Sequence, residues 1–284
     1  MCYEISAVLN ELAAKGNYAL TVLDMHGNGH NLDAMMVQFA DVCFLHHIID
    51  MKSFTYDCAV LIGFHSRSNA ASRTAHTFRS EICDVFLGGE AIGEYGLLRN
   101  WLLAYGIPTV FVSGEIQLLE EIKPNNDDID YYLYPEERAD TQLLCMVERL
   151  ASSLNKKREK KEFKNDVVYL TFRRKYYYDF LSPDLFRISE GKVLFDNVLE
   201  LFDWLFLISH LIDSANMFYF LTKNRIDHYL LNCMRKENQF QFRKDNLETL
   251  RKRNSDISVM EINKLLHGLR EKSFPNYFRQ ELYL

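Results

Sequence analysis

Residues 58–75 read CAVLIGFHSRSNAASRTA, an apolar run that stops at His65 and gives way to a polar loop. Residues 58–64 have strand length and no helical period, so they read as a strand, with the loop from His65 to Ala75 leaving its carboxyl end. The same form returns at Thr109–Ser113, within IPTVFVSGE at 107–115. Between the two lies a helix by period, Glu94 to Tyr105, closed by Gly106 and Pro108. A strand, a crossover helix and a second strand make a unit of an α/β sheet. In such sheets ligands bind outside the carboxyl ends of the strands.

Working outward, the pattern extends in both directions. On the N-terminal side, residues 4–15 carry apolar positions three and four apart, and Gly16-Asn17 end that helix. Ala19–Leu23 is a short buried strand that runs into a Gly- and Asn-rich loop from Asp24 to His30, and residues 41–47 read as another strand. Within the central unit, residues 77–87 alternate imperfectly, and Gly88-Gly89 turns them back on Ala91-Ile92 as a hairpin. On the C-terminal side, 124–128 is a polar loop and 137–154 a helix. Residues 156–164, KKREKKEFK, are most simply a solvated helix end and linker. Residues 167–172, 185–188 and 192–195 are strand-like, and 197–212 is a strongly apolar helix. From Asn216 onward the pattern is helical in pieces, broken near Asn254-Ser255 and Pro275, and there is no internal repeat. The expected domains are therefore 1–214, α/β, and 215–284, a helical extension.

Composition narrows the classes. A chain of 284 residues with 48% hydrophobic and 25% charged residues is globular rather than disordered. The net charge of −6 divides unevenly: residues 215–284 hold 13 Lys and Arg against 8 Asp and Glu, while the remainder carries −11. Docking of the basic tail on the acidic body is the plain reading, with a protein partner for residues 216–284 as the sharper one. The acidic body argues against nucleic-acid binding through Arg235-Lys236 or Arg251-Lys252-Arg253, since phosphate contacts dominate such affinity. Six cysteines without a CxxC pair point to a reducing, cytoplasmic setting. The apolar stretch 198–212 contains Glu200, Asp203 and His210 and is too short and polar to span a membrane.

Three residues fall at strand ends or a helix start: His26, His65 and Glu94. Histidine and carboxylate together are the ligand types of zinc and similar ions. His76, flanked by Ala75 and Thr77, is a candidate acid/base or oxyanion stabiliser. Taken singly, a loop histidine is more simply a solvated or capping residue, and no HExxH helix fixes a local site here.

Five segments in order carry more weight: VLDMHGNGHNL (22–32), VLIGFH (60–65), AHT (75–77), IGEYG (92–96) and IPTVFVSGE (107–115). Together they resemble the DppA-type D-aminopeptidase family, the M55 metallopeptidases. The resemblance spans about residues 1–214 and is specific over 22–115. It implies an α/β fold with a mixed sheet and flanking helices. It implies His26, His65 and Glu94 as metal ligands, Asp24 as an orienting or ligating acid beside the first, and His76 as the catalytic histidine. It also implies zinc, one or two ions, a short peptide or amide substrate, and a homo-oligomer.

The family pattern is not complete. Its Asp-x-Glu-Gly strand end, which supplies two further ligands, occurs nowhere in the 284 residues, and Glu115-Ile116 stands where the family favours Asp-Asp. A start that falls short of that strand, a one-metal site and a site without metal remain open. The expected function is accordingly a metal-dependent aminopeptidase, with a degenerate relative acting as a binding or assembly module as the alternative.

Overall fold

The computed structural model describes residues 2–15, 18–25, 42–45, 55–123, 129–134, 140–156, 163, 165–181 and 186–223. His26, both basic clusters of the tail and the breaks expected near Asn254 and Pro275 lie outside them. Among the described residues the order is α1 (Cys2–Ala14), β1 (Leu20–Leu23), β2 (Val42–Leu45), β3 (Ala59–Phe64), β4 (Ile82–Leu87), β5 (Glu90–Ile92), α2 (Glu94–Ala104) and β6 (Thr109–Glu115). It continues with α3 (Leu119–Ile122), β7 (Asp130–Tyr134), α4 (Asp140–Leu154), β8 (Val168–Phe172), β9 (Arg187–Ser189), β10 (Lys192–Phe195) and α5 (Val198–Lys223). The fold is mixed α/β, with parallel and antiparallel sheets and flanking helices, as the sequence leads one to expect.

The sheet that positions the site is parallel, in the order β3-β6-β7. Its central strand β6 is buried from Thr109 to Gly114, which is why it reads as a continuous apolar run rather than an alternating one. One face is covered by α1 and α4, where Val8, Leu12, Val110, Phe111, Met146, Val147 and Leu150 form a common core. On α2, Leu97, Leu98, Trp101 and Leu102 are buried, and the helix contacts β3, β5 and β6. β1 and β2 form a separate parallel pair. β7 is an element that the sequence reading missed; its aromatic run Tyr131-Tyr132 has the strand preference that aromatic residues show.

The second large sheet, β5-β4-β8-β10-β9, is antiparallel. Gly88 and Gly89 both adopt positive φ, 59° and 89°, between β4 and β5. Two such residues make the tight turn whose twist matches that of paired strands. Helix α5 starts at a true cap: Asn197 Oδ1 accepts the Leu199 and Glu200 amides at 2.9 and 3.1 Å. It runs eleven residues beyond the expected end at 212, since no Gly or Pro interrupts residues 213–223.

Two compact units divide the chain, 1–175 with 183–206 and 176–182 with 207–284. In the second, the hydroxyls of Tyr176 and Tyr177 both donate to Asn216 Oδ1, at 3.2 and 2.7 Å. No helix of the described residues is long and apolar enough to cross a membrane.

Candidate metal centre

The register of β3 on β6 sets the site. Phe64 pairs with Gly114, so the residues that follow, His65 and Glu115, emerge side by side at the carboxyl edge. The pairing is tight enough that a Cβ on Gly114 would run into the Phe64 carbonyl oxygen, which leaves no room for any other residue there. Helix α2 starts at the same edge and presents Glu94 in its first turn.

Among the described residues, the metal-ligand side chains that come together are His65, His76 and Glu94. Glu94 Oε1 lies 3.6 Å from His65 Nε2 and 3.8 Å from His76 Nε2. The three are 16%, 30% and 22% exposed, so the cluster is sheltered yet open on one side. His65 Nδ1 donates to the Ser66 carbonyl at 3.0 Å, and His76 Nδ1 donates to the Thr74 carbonyl at 2.7 Å. Each ring therefore carries a proton on Nδ1 and turns Nε2 into the shared space, which in the neutral ring is the tautomer that a metal ligand or a general base needs.

These donors fit a zinc-like ion. The 3.6 Å edge between His65 Nε2 and Glu94 Oε1 is close to the ~3.4 Å that separates two ligands of a tetrahedral zinc. The two imidazoles, in contrast, are stacked, with centroids 3.9 Å apart and planes inclined by 24°. Planes so nearly parallel do not meet within the ~2 Å of a Zn–N bond, so one ion cannot lie in the plane of both rings. The geometry thus suits His65 with Glu94 as a pair around one ion, with the His76 ring stacked beside them.

Glu94 is fixed from behind. The Phe78 amide donates to Glu94 Oε1 at 2.7 Å. Phe78 holds a left-handed backbone, φ 59°, to aim that amide, and its ring packs edge-on against Phe202 of α5 at 5.7 Å.

Two further carboxylates hold the loops in place, and neither was singled out as functional in the sequence. Glu121, on α3, accepts the Arg67 amide at 2.6 Å and the Gly93 amide at 2.8 Å, tying the loop after His65 to the residue before Glu94. Burial pushes its pKa up against those two amides and the Arg67 charge. Glu115 accepts from the Ser66 amide and hydroxyl at 2.6 Å each, from Ser72 Oγ at 2.7 Å and from Thr74 Oγ1 at 2.5 Å. Burial pushes it up, but the bonds from Ser66, Thr74 and Ser72 outweigh that and hold it down at about 2. The available signal was the density of Ser and Thr between positions 66 and 74, more hydroxyls than a solvated loop needs.

Asp24 is half-buried just beyond β1 and is not part of this cluster, while His26 lies outside the described residues. The described structure thus brings together three of the five residues singled out in the sequence.

The part of the chain that carries this strand-edge cluster is similar to known proteins. Residues 1–161 match the family model of the M55 peptidases, described as D-aminopeptidase, and the chain belongs to that family. The fold is similar to that of the Zn-dependent D-aminopeptidase DppA from Bacillus subtilis, a self-compartmentalizing protease. The match has a TM-score of 0.64 and 17% identity, and it covers 74% of this chain and 84% of that one. No curated protein sequence matches the chain.

Proposed function

We propose that this chain is a metal-dependent aminopeptidase that hydrolyses a short peptide or amide. The observation that carries the reading is the His65–His76–Glu94 cluster, with both Nε2 atoms turned toward one carboxylate oxygen, in a chain of the D-aminopeptidase family. His65 and Glu94 are the ligands. His26 completes the set, and Asp24 orients it or joins it. Zinc bound there supplies a Lewis acid that polarises an amide carbonyl and acidifies water.

The chain's own residues account for the remaining steps. His76, held by the Thr74 carbonyl through Nδ1, has its Nε2 free to take the proton of the attacking water. The same nitrogen returns that proton to the leaving amine as the C–N bond breaks. Phe78 keeps the Glu94 carboxylate from rotating away. The sheltered setting strengthens each of these electrostatic interactions relative to water. Homo-oligomerisation and a cytoplasmic setting belong to the same reading. The first is supported by the self-compartmentalizing assembly named for DppA, the second by six cysteines without a CxxC pair.

The test is direct. Zinc-loaded protein is expected to release D-alanine from D-alanyl-D-alanine and to retain about one or two zinc ions per chain. His65→Ala is expected to lose both properties, whereas His76→Gln should keep zinc and lose at least ~100-fold in rate. A wild-type chain that neither retains zinc nor cleaves D- or L-dipeptides overturns the reading. In that event the second reading, a degenerate relative serving as a binding or assembly module, takes its place. That reading draws on residues 216–284, which lie beyond the span of the family match.

A further inference from the structure

One carboxylate touches both residues whose carbonyls orient the two histidines. Ser66, whose carbonyl takes the His65 Nδ1 proton, gives its amide and hydroxyl to Glu115 Oε1. Thr74, whose carbonyl takes the His76 Nδ1 proton, gives its hydroxyl to Glu115 Oε2, as does Ser72. The two oxygens of Glu115 thus hold the two ends of the loop that separates His65 from His76. Ser72 Oγ also accepts the Thr74 amide at 3.2 Å, so the far end is itself braced. Ser66 is fully buried, so its amide and hydroxyl cannot turn to bulk water if the carboxylate is lost.

We infer that Glu115 is the positioning residue of this site: it fixes the tautomer and stacking of His65 and His76 through Ser66 and Thr74, without touching substrate or metal itself. The inference rests on the metallopeptidase reading for its consequence in catalysis, though not for its geometry. A loop of this kind, without the carboxylate, would leave a buried amide and three hydroxyls to find other partners, and the two carbonyls would no longer be aimed.

The two oxygens are not equivalent in what they demand, and this gives the inference a specific signature. At the Ser66 end a backbone amide and a hydroxyl both need an acceptor. At the other end Ser72 and Thr74 are hydroxyls, which can turn and accept instead. In Glu115→Gln the amide oxygen must therefore stay with Ser66, and the NH2 faces Thr74. Those hydroxyls then stay bound to position 115, so both rings should keep the Nδ1–H tautomer in Glu115→Gln, whereas Thr74→Val, which removes the hydroxyl that links Thr74 to Glu115, should release His76 alone. In Glu115→Ala both anchors are gone, and both rings should become tautomeric mixtures.

The readout is long-range 1H–15N correlation of the imidazole nitrogens in the full-length, zinc-free protein at pH 8, with each ring assigned from its own His→Gln variant. The expected result is Nδ1–H at both rings in wild type and in Glu115→Gln, a mixture at His76 alone in Thr74→Val, and mixtures at both in Glu115→Ala. Unchanged tautomers at both rings in Thr74→Val overturn the inference, as do equal changes at both, which a general loosening would give. If Glu115→Ala fails to fold, the Thr74→Val comparison decides alone. Because the readout needs neither zinc nor turnover, it stands if the peptidase reading fails. If wild type is active, Thr74→Val should lower kcat more than ~10-fold with KM changed by less than ~3-fold, since a misaimed base acts on the chemical step.

Discussion

Each imidazole of the cluster commits its Nδ1 proton to a neighbouring carbonyl, and Glu94 answers with one oxygen shared between two Nε2 atoms and a backbone amide. Charge, rather than shape, is what Glu94 adds. Glu94→Gln still offers an oxygen to the Phe78 amide, so stability should change by less than ~1 kcal/mol. Zinc affinity, measured by competition with a chelator, should fall by more than the ~10–100-fold typical of losing an outer partner. A variant that binds zinc as wild type does would remove Glu94 from the ligand set. Glu115 adds a pH dependence. Its folded pKa, about 2, lies below its ordinary 4.5. Its contribution is therefore complete above about pH 5 and is lost as pH falls toward 2. After screening on its open side, this amounts to roughly 1–2 kcal/mol. Urea unfolding of Glu115→Gln should show a shallower acid decline over that window than wild type, and parallel declines would count against it.

Elements matter here through close approach more than through their own stability. The strand β3 can lie against β6 with Phe64 opposite Gly114 only because position 114 has no side chain. Gly93 does the same at the start of α2: an added Cβ would sit 2.6 Å from Glu121 Oε2 and 2.8 Å from Arg67 Cβ. These glycines were legible in the sequence as letters of a family pattern, S-G-E and G-E-Y-G. Their reason was not, because it is the position of another strand and of a buried carboxylate some 28 residues further on. Gly114→Ala should cost ~3 kcal/mol or more, since the added methyl meets backbone that cannot move aside. It should also widen the spacing of His65 from Glu115. The first is read from the denaturant midpoint, the second from a fall in zinc occupancy of the folded protein. A stable variant with full occupancy would show that β3 and β6 can separate without disturbing the edge.

At the scale of the molecule, what was legible followed periodicity. The α/β alternation and the hairpin at Gly88-Gly89 come from local patterns, and the rule that strand ends gather ligands points to His65 and Glu94, whereas His76 was read from its neighbours and from the family resemblance. What was not legible depends on partners distant in sequence. Glu115 looked like drift from a family motif, yet it is bonded to residues 41 to 49 positions earlier. Likewise α5 reads as an apolar helix with no stated purpose, and its Phe202 proves to lie between Trp101 of α2 and Phe78 of the site loop, at 5.7 Å from each ring. Phe78 has a left-handed backbone, which costs a residue with a side chain ~1–2 kcal/mol. That conformation persists only if its surroundings hold it. The Glu94 carboxylate holds the amide, and Phe202 holds the ring. Phe202 is 6% exposed, so Phe202→Ala should cost ~3–5 kcal/mol as a cavity opens beneath α5. Cavity formation alone would leave the folded fraction able to bind zinc normally. If the ring of Phe202 also holds Phe78 in place, the folded variant should bind zinc at least ~10-fold more weakly, because Glu94 loses its amide when Phe78 relaxes to negative φ. Phe202→Leu refills most of the volume and separates the two effects: stability should largely return, while the affinity should recover only as far as the edge-on contact with Phe78 is replaced. Equal recovery of both in Phe202→Leu would mean that the aromatic contact itself carries nothing to the site.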